Sequence, residues 1–210
     1  MKPPNLMCRL FLSRLVFAVL LATASASALA AADDPVALLR AEIDEVLGVA
    51  YSSQNPDTIA ERIRPLLEKD FSAELVTRQA IGPGWRQFTP SEQKKVVDLF
   101  GRLMLRIYSN RVVGTQRPRS ITYATAQTLA ADRVEIPSRV VPQNAGQPFS
   151  VNYRLIKLAA GWRIYDVLVE GVSFVANYRA QFDELVLKGG ASAVIQSIES
   201  KLAAPTTPRS

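Results

Sequence analysis

Between residues 119 and 170 the chain divides into four short extended runs, 119–129, 132–142, 148–159 and 162–170, with only a few turn residues between them. The breaks fall at Ala130-Ala131-Asp132, at Pro142-Gln143-Asn144-Ala145-Gly146 and at Ala159-Ala160-Gly161. Connections this short cannot carry the chain back over a sheet to start a parallel neighbour, so the runs must pair as an antiparallel meander of four strands. In the third run Phe149, Val151, Tyr153 and Leu155 alternate with Ser150, Asn152 and Arg154, which gives one strongly apolar face. In the fourth, strict alternation places Tyr165, Val167 and Val169 on one side and Trp162, Ile164 and Leu168 on the other. A strand apolar on both sides is expected to be covered on both.

Helical patterns come before and after the meander. Asp34-Pro35, Asn55-Pro56 and Thr89-Pro90 each set a capping side chain before a proline, whose missing N–H is not needed in a first turn. Glu92 follows Thr89 at the spacing of a capping box. Helices are predicted over 34–52, 56–69, 71–81 and 89–113, with Gly82-Pro83-Gly84 ending the third. In the fourth, Val96, Leu99, Phe100, Leu103, Met104, Ile107 and Tyr108 form a broad apolar stripe opposite Lys95, Asp98, Arg102 and Arg106. Beyond Gly171 a helix presents Phe174, Tyr178, Phe182 and Leu185 on one face until Gly189-Gly190, and a shorter one follows over 191–203. No internal repeat is visible. The expectation is an α+β domain in which helices wrap a curved four-stranded antiparallel sheet.

Composition narrows the chemistry. Residues 1–30 combine Lys2, Arg9 and Arg14 with an apolar centre from Leu15 to Leu21 and a small-residue tail, the pattern of a secretory signal peptide, with cleavage expected after Ala30. Its apolar centre is too short to span a bilayer. Without it, 22 basic residues face 19 acidic ones, so much of the positive balance belongs to the signal. No aromatic residues interleave with a basic stripe as a single-strand nucleic-acid binder would require. Cys8 leaves with the signal, and the chain has no histidine. The expected mature chain therefore has no thiolate, no imidazole base and no disulfide, and a zinc, copper or haem site is not expected. Residues 204–210 are expected to be a disordered tail.

Two residues invite a catalytic reading. Ser173, in Gly171-Val172-Ser173-Phe174-Val175, sits where strand gives way to helix, but Val175 occupies the second glycine position of a nucleophile elbow and no imidazole is available to take the proton. A helix N-cap is the expected role. Asp166 lies among apolar neighbours and is a candidate general base; the alternative is a structural carboxylate held by backbone amides or by Arg154, Arg163 or Arg179.

Three segments then carry a resemblance: Gly161-Trp162-Arg163-Ile164-Tyr165-Asp166-Val167, Val169-Glu170-Gly171-Val172-Ser173, and Asn177-Tyr178-Arg179-Ala180-Gln181-Phe182. Together with Trp85-Arg86-Gln87-Phe88-Thr89-Pro90 and the helix after it, they resemble the MlaC family of periplasmic phospholipid-binding proteins, also called toluene-tolerance auxiliary proteins. The resemblance implies a non-enzymatic carrier without cofactor, a single lipid-binding domain over 31–203, and a sheet similar to the nuclear-transport-factor-2 (NTF2-like) cone with a deep apolar pocket. It also implies a phospholipid ligand and two transient partners, an outer-membrane lipoprotein complex and the lipid-handling subunit of an inner-membrane ABC transporter. A mobile carrier of this kind is expected to be monomeric. The inner faces of the helices and sheet nominate Leu99, Leu103, Ile107, Val151, Tyr153, Tyr165, Val167, Val169, Phe174 and Tyr178 as lipid contacts, with filled core as the alternative for each; Arg102, Arg106 and Arg111 are either a solvated helix face or cations for a phosphate, a membrane surface or an acidic partner. Another apolar lipid such as a hopanoid, a small cone-fold enzyme using Asp166, and a purely structural interaction protein are the alternatives.

Overall fold

The computed structural model describes residues 34–204; the expected signal segment with Cys8, and residues 205–210 of the expected tail, lie outside them. Helix α1 spans Pro35–Ala50, α2 Pro56–Asp70 and α3 Ala73–Ile81. A 3₁₀ turn over Gly82–Gln87 leads into α4, Pro90–Val112. The cap-proline signals act as expected: Asp34 accepts from the Val36 N–H, and Asn55 from the N–H groups of Asp57 and Thr58. At α4 both halves of the capping box are present, the Thr89 hydroxyl accepting from the Glu92 N–H and the Glu92 carboxylate from the Thr89 N–H at 2.8 Å.

Six strands follow rather than four: β1 Ser120–Tyr123, β2 Gln127–Ala130, β3 Arg133–Val141, β4 Phe149–Leu158, β5 Gly161–Val169 and β6 Val172–Ser173. They form one antiparallel sheet in the order β1-β3-β4-β5-β6, and β2 pairs with β3 beyond the end of β1. The expected first run is thus split in two, and Pro137 of β3 explains the break. Its carbonyl accepts from the Ala124 N–H at 2.8 Å, so its nitrogen also faces β1 and β2, where it has no proton to donate. The ladder lapses there and resumes with Gln127 opposite Glu135.

A second departure changes which residues share a face. In the β4–β5 pairing Arg154 opposes Asp166 while Leu155 opposes Ile164, so Tyr165 is an extra residue in a β-bulge. The bulge reverses the alternation in mid-strand. Trp162, Ile164 and Val167 therefore share the apolar side with Val151, Tyr153 and Leu155. Tyr165 goes to the opposite side, where the Arg133 guanidinium lies 5.7 Å from its ring centre.

The strand-to-helix passage after Val169 is also more structured than a single bend. Glu170 and Gly171 both have positive φ, 50° and 77°, and close a two-residue hairpin in which Val169 pairs with Val172. Left-handed backbone at both central positions matches the strand twist, and glycine takes it without steric cost. Glutamate does not, but its carboxylate accepts from both the backbone N–H and the hydroxyl of Ser150. Helix α5 then runs Phe174–Ala203, broken by non-helical backbone at Gly189 and Gly190, as the double glycine implies.

Two main cores result. The helical core joins α3, the 3₁₀ turn, α4 and both halves of α5 through Ile81, Trp85, Phe88, Phe100, Phe182, Val194 and Ile198, among others. Gly84 is required there, because a Cβ at that position would lie 2.7 Å from a methyl of Val186. The sheet core sets Val134, Ile136, Val140, Val151, Tyr153, Leu155, Trp162 and Ile164 against Leu39 of α1. A smaller cluster of Ala50, Ile59, Ile63 and Leu105 links α1, α2 and α4. The edge of β5 near Ile164 is covered by the α2–α3 junction, where the Ser72 N–H donates to the Ile164 carbonyl at 3.2 Å.

Candidate functional site

The spacing of apolar residues on α4 brings Phe100, Leu103 and Ile107 to one side of the helix, and α5 meets it with Phe174, Tyr178 and Phe182 one turn apart. The rings form a connected aromatic group. Phe100 lies 5.0 Å from Tyr178 and 5.4 Å from Phe182, both nearly edge to face. Phe174 lies 4.9 Å from Tyr178 and 6.1 Å from Tyr108. Such pairs are favourable beyond the area they bury. The group grades outward: Phe100 is fully buried, Phe174 and Tyr178 are half-buried, and Tyr108 is 45% exposed. Burial raises the hydroxyl pKa of Tyr108 and Tyr178, against an opposing pull from the Arg111 guanidinium. Both phenols therefore stay uncharged at neutral pH.

The ten nominated contacts fall into two groups. Leu99, Leu103, Ile107, Phe174 and Tyr178 belong to the helical core, with Leu99 and Leu103 buried and the other three half-buried. Val151, Tyr153 and Val167 belong to the sheet core, and Val169 follows at the hairpin, 49% exposed. Tyr165 lies across the sheet from them on the side of Arg154, and its expected place beside Val167 and Val169 is corrected by the bulge. Period-two alternation gives no warning of such a slip; the pairing partner is needed to see it.

Asp166 is the best-bonded polar residue in this part of the fold. It is 5% exposed, and one carboxylate oxygen accepts from the Val167 N–H at 2.9 Å and the Val175 N–H at 3.1 Å. The other accepts from the Ser173 hydroxyl at 2.7 Å and faces the Arg154 guanidinium at 3.5 Å. Arg154 is held in turn by Glu135 at 2.8 Å. Ser173 completes the link, since its oxygen accepts from the Ala176 N–H at 3.0 Å as the N-cap of α5. Sequence alone left three arginines as partners; Arg163 instead donates to the Trp162 carbonyl, and Arg179 to the carbonyl of Gln79. With four donors on two oxygens, Asp166 ties β5 to the start of α5, and no lone pair is left directed at a substrate proton.

The three nominated cations are also engaged. Arg102 lies 3.6 Å from Asp98, Arg106 donates to the carbonyls of Leu202 and Ala204 at the end of α5, and Arg111 stacks over Tyr108 at 5.4 Å. A group that sequence reasoning missed is Arg40 on α1 with Arg117 and Arg119 ahead of β1, lining a cleft of about 160 Å³. Arg117 and Arg119 are visible as a pair in the chain, but nothing in the chain points to Arg40. No cluster of His, Cys, Asp and Glu able to hold a metal occurs among the described residues.

The model of the family described as "MlaC protein" matches residues 42–200, which takes in all but the first turns of α1 and the last residues of α5. The chain belongs to the MlaC family. As an MlaC protein it is similar to the toluene tolerance protein ttg2D of Pseudomonas putida, 21% identical over 166 residues that cover 76% of each chain. Its fold is similar to that of a phospholipid-binding protein from Ralstonia solanacearum solved in complex with a phospholipid. That match has a TM-score of 0.73 at 24% identity and covers 81% of this chain and 97% of the other. The MlaC match includes the bulge at Tyr165, the Glu170-Gly171 hairpin, the Asp166–Ser173 link and the aromatic group. No helix among the described residues of this MlaC protein is long and apolar enough to cross a membrane.

Proposed function

We propose that this protein binds a phospholipid by its acyl chains and carries it through the periplasm between an outer-membrane lipoprotein complex and an inner-membrane ABC transporter. The observation that carries the reading is the aromatic group on α4 and α5, which grades from the buried Phe100 to the half-open Phe174, Tyr178 and Tyr108. Membership of the MlaC family and the phospholipid held by the Ralstonia solanacearum protein support it. Ile107, Phe174, Tyr178, Val167 and Val169 keep accessible apolar surface and meet the chains first; Leu99, Leu103, Val151 and Tyr153 back them within the two cores.

Energetics explain why a protein is needed. At about 0.8 kcal/mol per buried methylene, two chains of roughly fifteen methylenes each cost on the order of 20 kcal/mol to expose to water. Release into water is negligible, so loading and unloading proceed by contact with another apolar site on a transient partner. The bonding of Asp166 supports binding over general-base chemistry, because its oxygens are already occupied by structural donors.

Mass spectrometry of lipids extracted from protein purified from a periplasm tests the proposal. Stoichiometric phospholipid is expected, and Phe174→Asp or Tyr178→Asp should lose it while keeping the native circular-dichroism spectrum. Extraction of a triterpenoid instead would shift the ligand class to hopanoids, and a folded protein that carries no lipid would sink the carrier reading.

A further inference from the structure

The cleft between α1 and the entry to β1 has the composition of an anion site. Arg40 comes from α1, Arg117 and Arg119 from the segment ahead of β1, and Asp44 is the single acid among the lining residues. Arg117 leans toward Asp44 at 3.8 Å, and Arg119 reaches the Gln143 carbonyl at 3.3 Å, so each arginine keeps further N–H donors. Arg40 is poised over the Tyr123 ring, 5.2 Å from its centre. Tyr123 itself lines the cleft, and its hydroxyl oxygen is buried without a hydrogen-bond partner among the described residues. Burial first and the Asp44 carboxylate second push that hydroxyl up to about 12, with Arg40 opposing, so it stays a proton donor at neutral pH.

We propose that this cleft binds a phosphate group, held by the guanidinium groups of Arg40, Arg117 and Arg119. Three guanidinium groups approaching from two chain segments suit a tetrahedral anion with several acceptor oxygens better than a planar carboxylate with two. The lining balance of three arginines against one aspartate matches a charge between one and two. About 160 Å³ is room enough for a phosphate with a few waters. The phosphate can belong to a lipid head group or be free in solution. This assignment does not depend on where acyl chains bind.

Titration of the delipidated protein with inorganic phosphate, at ionic strength held constant with chloride and followed by amide chemical shifts, tests the site. Saturable shifts are expected at Arg119, Ser120, Ile121 and Tyr123. Arg40→Gln and Arg119→Gln should each weaken the affinity about tenfold. Shifts no larger than those of the chloride control, or parental affinity in both variants, would overturn the proposal.

A second titration with dihexanoyl phosphatidylglycerol separates the sources. Competition with inorganic phosphate places a lipid head group in the cleft; simultaneous binding marks a soluble-phosphate site, and both outcomes support the phosphate assignment. Lipid extraction reads the carrier function separately. A protein that binds phosphate but yields no lipid defeats only the carrier reading, and one that yields lipid but ignores phosphate once the lipid is removed defeats only this one.

Discussion

Replacing Asp166 by Asn is the sharpest test of the link between β5 and α5. Asparagine keeps the side-chain volume and one acceptor oxygen, which can retain the Val167 and Val175 N–H bonds at 2.9 and 3.1 Å. Its amide nitrogen then stands where the other oxygen accepted from the Ser173 hydroxyl at 2.7 Å and faced Arg154 at 3.5 Å. Two charge-assisted contacts are lost, and the new amide N–H donors are set against those of Arg154. At about 1.5 kcal/mol for each bond to a charged group, discounted for the one-third exposure of Arg154, the expected loss is about 2–3 kcal/mol. For a domain of this size each kcal/mol shifts Tm by about 2–4 °C, so a fall on the order of 8 °C is expected. Ser173→Ala removes the cap on Ala176 and the donor to Asp166, and should cost about 1–2 kcal/mol while leaving bound lipid in place. Because both single changes break the same bond, the double variant should cost about 1 kcal/mol less than their sum. Urea denaturation followed by circular dichroism measures all three. An Asp166→Asn variant as stable as the parent, or strictly additive costs, would refute the structural role. A general base predicts the reverse pattern, with stability kept and turnover lost.

Two further outcomes follow from local geometry. Gly84→Ala drives a Cβ to within 2.7 Å of a branched, stiff Val186 side chain and should cost about 1–3 kcal/mol. Thermal melts should then show Gly84→Ala/Val186→Ala to be more stable than the sum of the single variants allows, as the new methyl fills part of the space vacated. The second outcome concerns pH at the start of α4, where the backbone N–H and then the hydroxyl of Thr89 hold the Glu92 carboxyl below its ordinary value of 4.5. A lowered folded-state pKa means that this contribution is complete above 4.5 and is lost as pH falls through the lowered value. The stability gap between the parent and Glu92→Gln should therefore be constant near neutrality and narrow as pH falls below 4.5; a gap that widens with acid contradicts the sign.

Much of the fold is legible in short stretches of chain, and the parts that are not share a cause. Asp34, Asn55 and Thr89 start helices because a cap and a proline act within a single turn. Gly189-Gly190 breaks α5, and the α4 stripe faces inward, for similarly local reasons. The alternation in β4 correctly gave its apolar face, but in β5 it failed after Ile164 because Tyr165 is inserted against Arg154 of the neighbouring strand. The first extended run was divided by a proline in another strand. Of the candidate contacts, Tyr165 was misplaced by the bulge, and the others divide between two cores whose separation no periodicity reports.

By itself, then, the sequence determined where the helices begin, which helix faces are apolar and that the sheet is antiparallel, because caps, turns and periodicity are properties of neighbours within a few residues. It also excluded imidazole chemistry outright, since the chain contains no histidine. The tertiary structure alone decided that Asp166 takes four donors, that Phe100, Phe174 and Tyr178 share one aromatic group, and that Arg40 joins Arg117, Arg119 and Tyr123 at one cleft. Each of these depends on strand register or helix packing between distant segments, and register is set by pairing partners that no local pattern names.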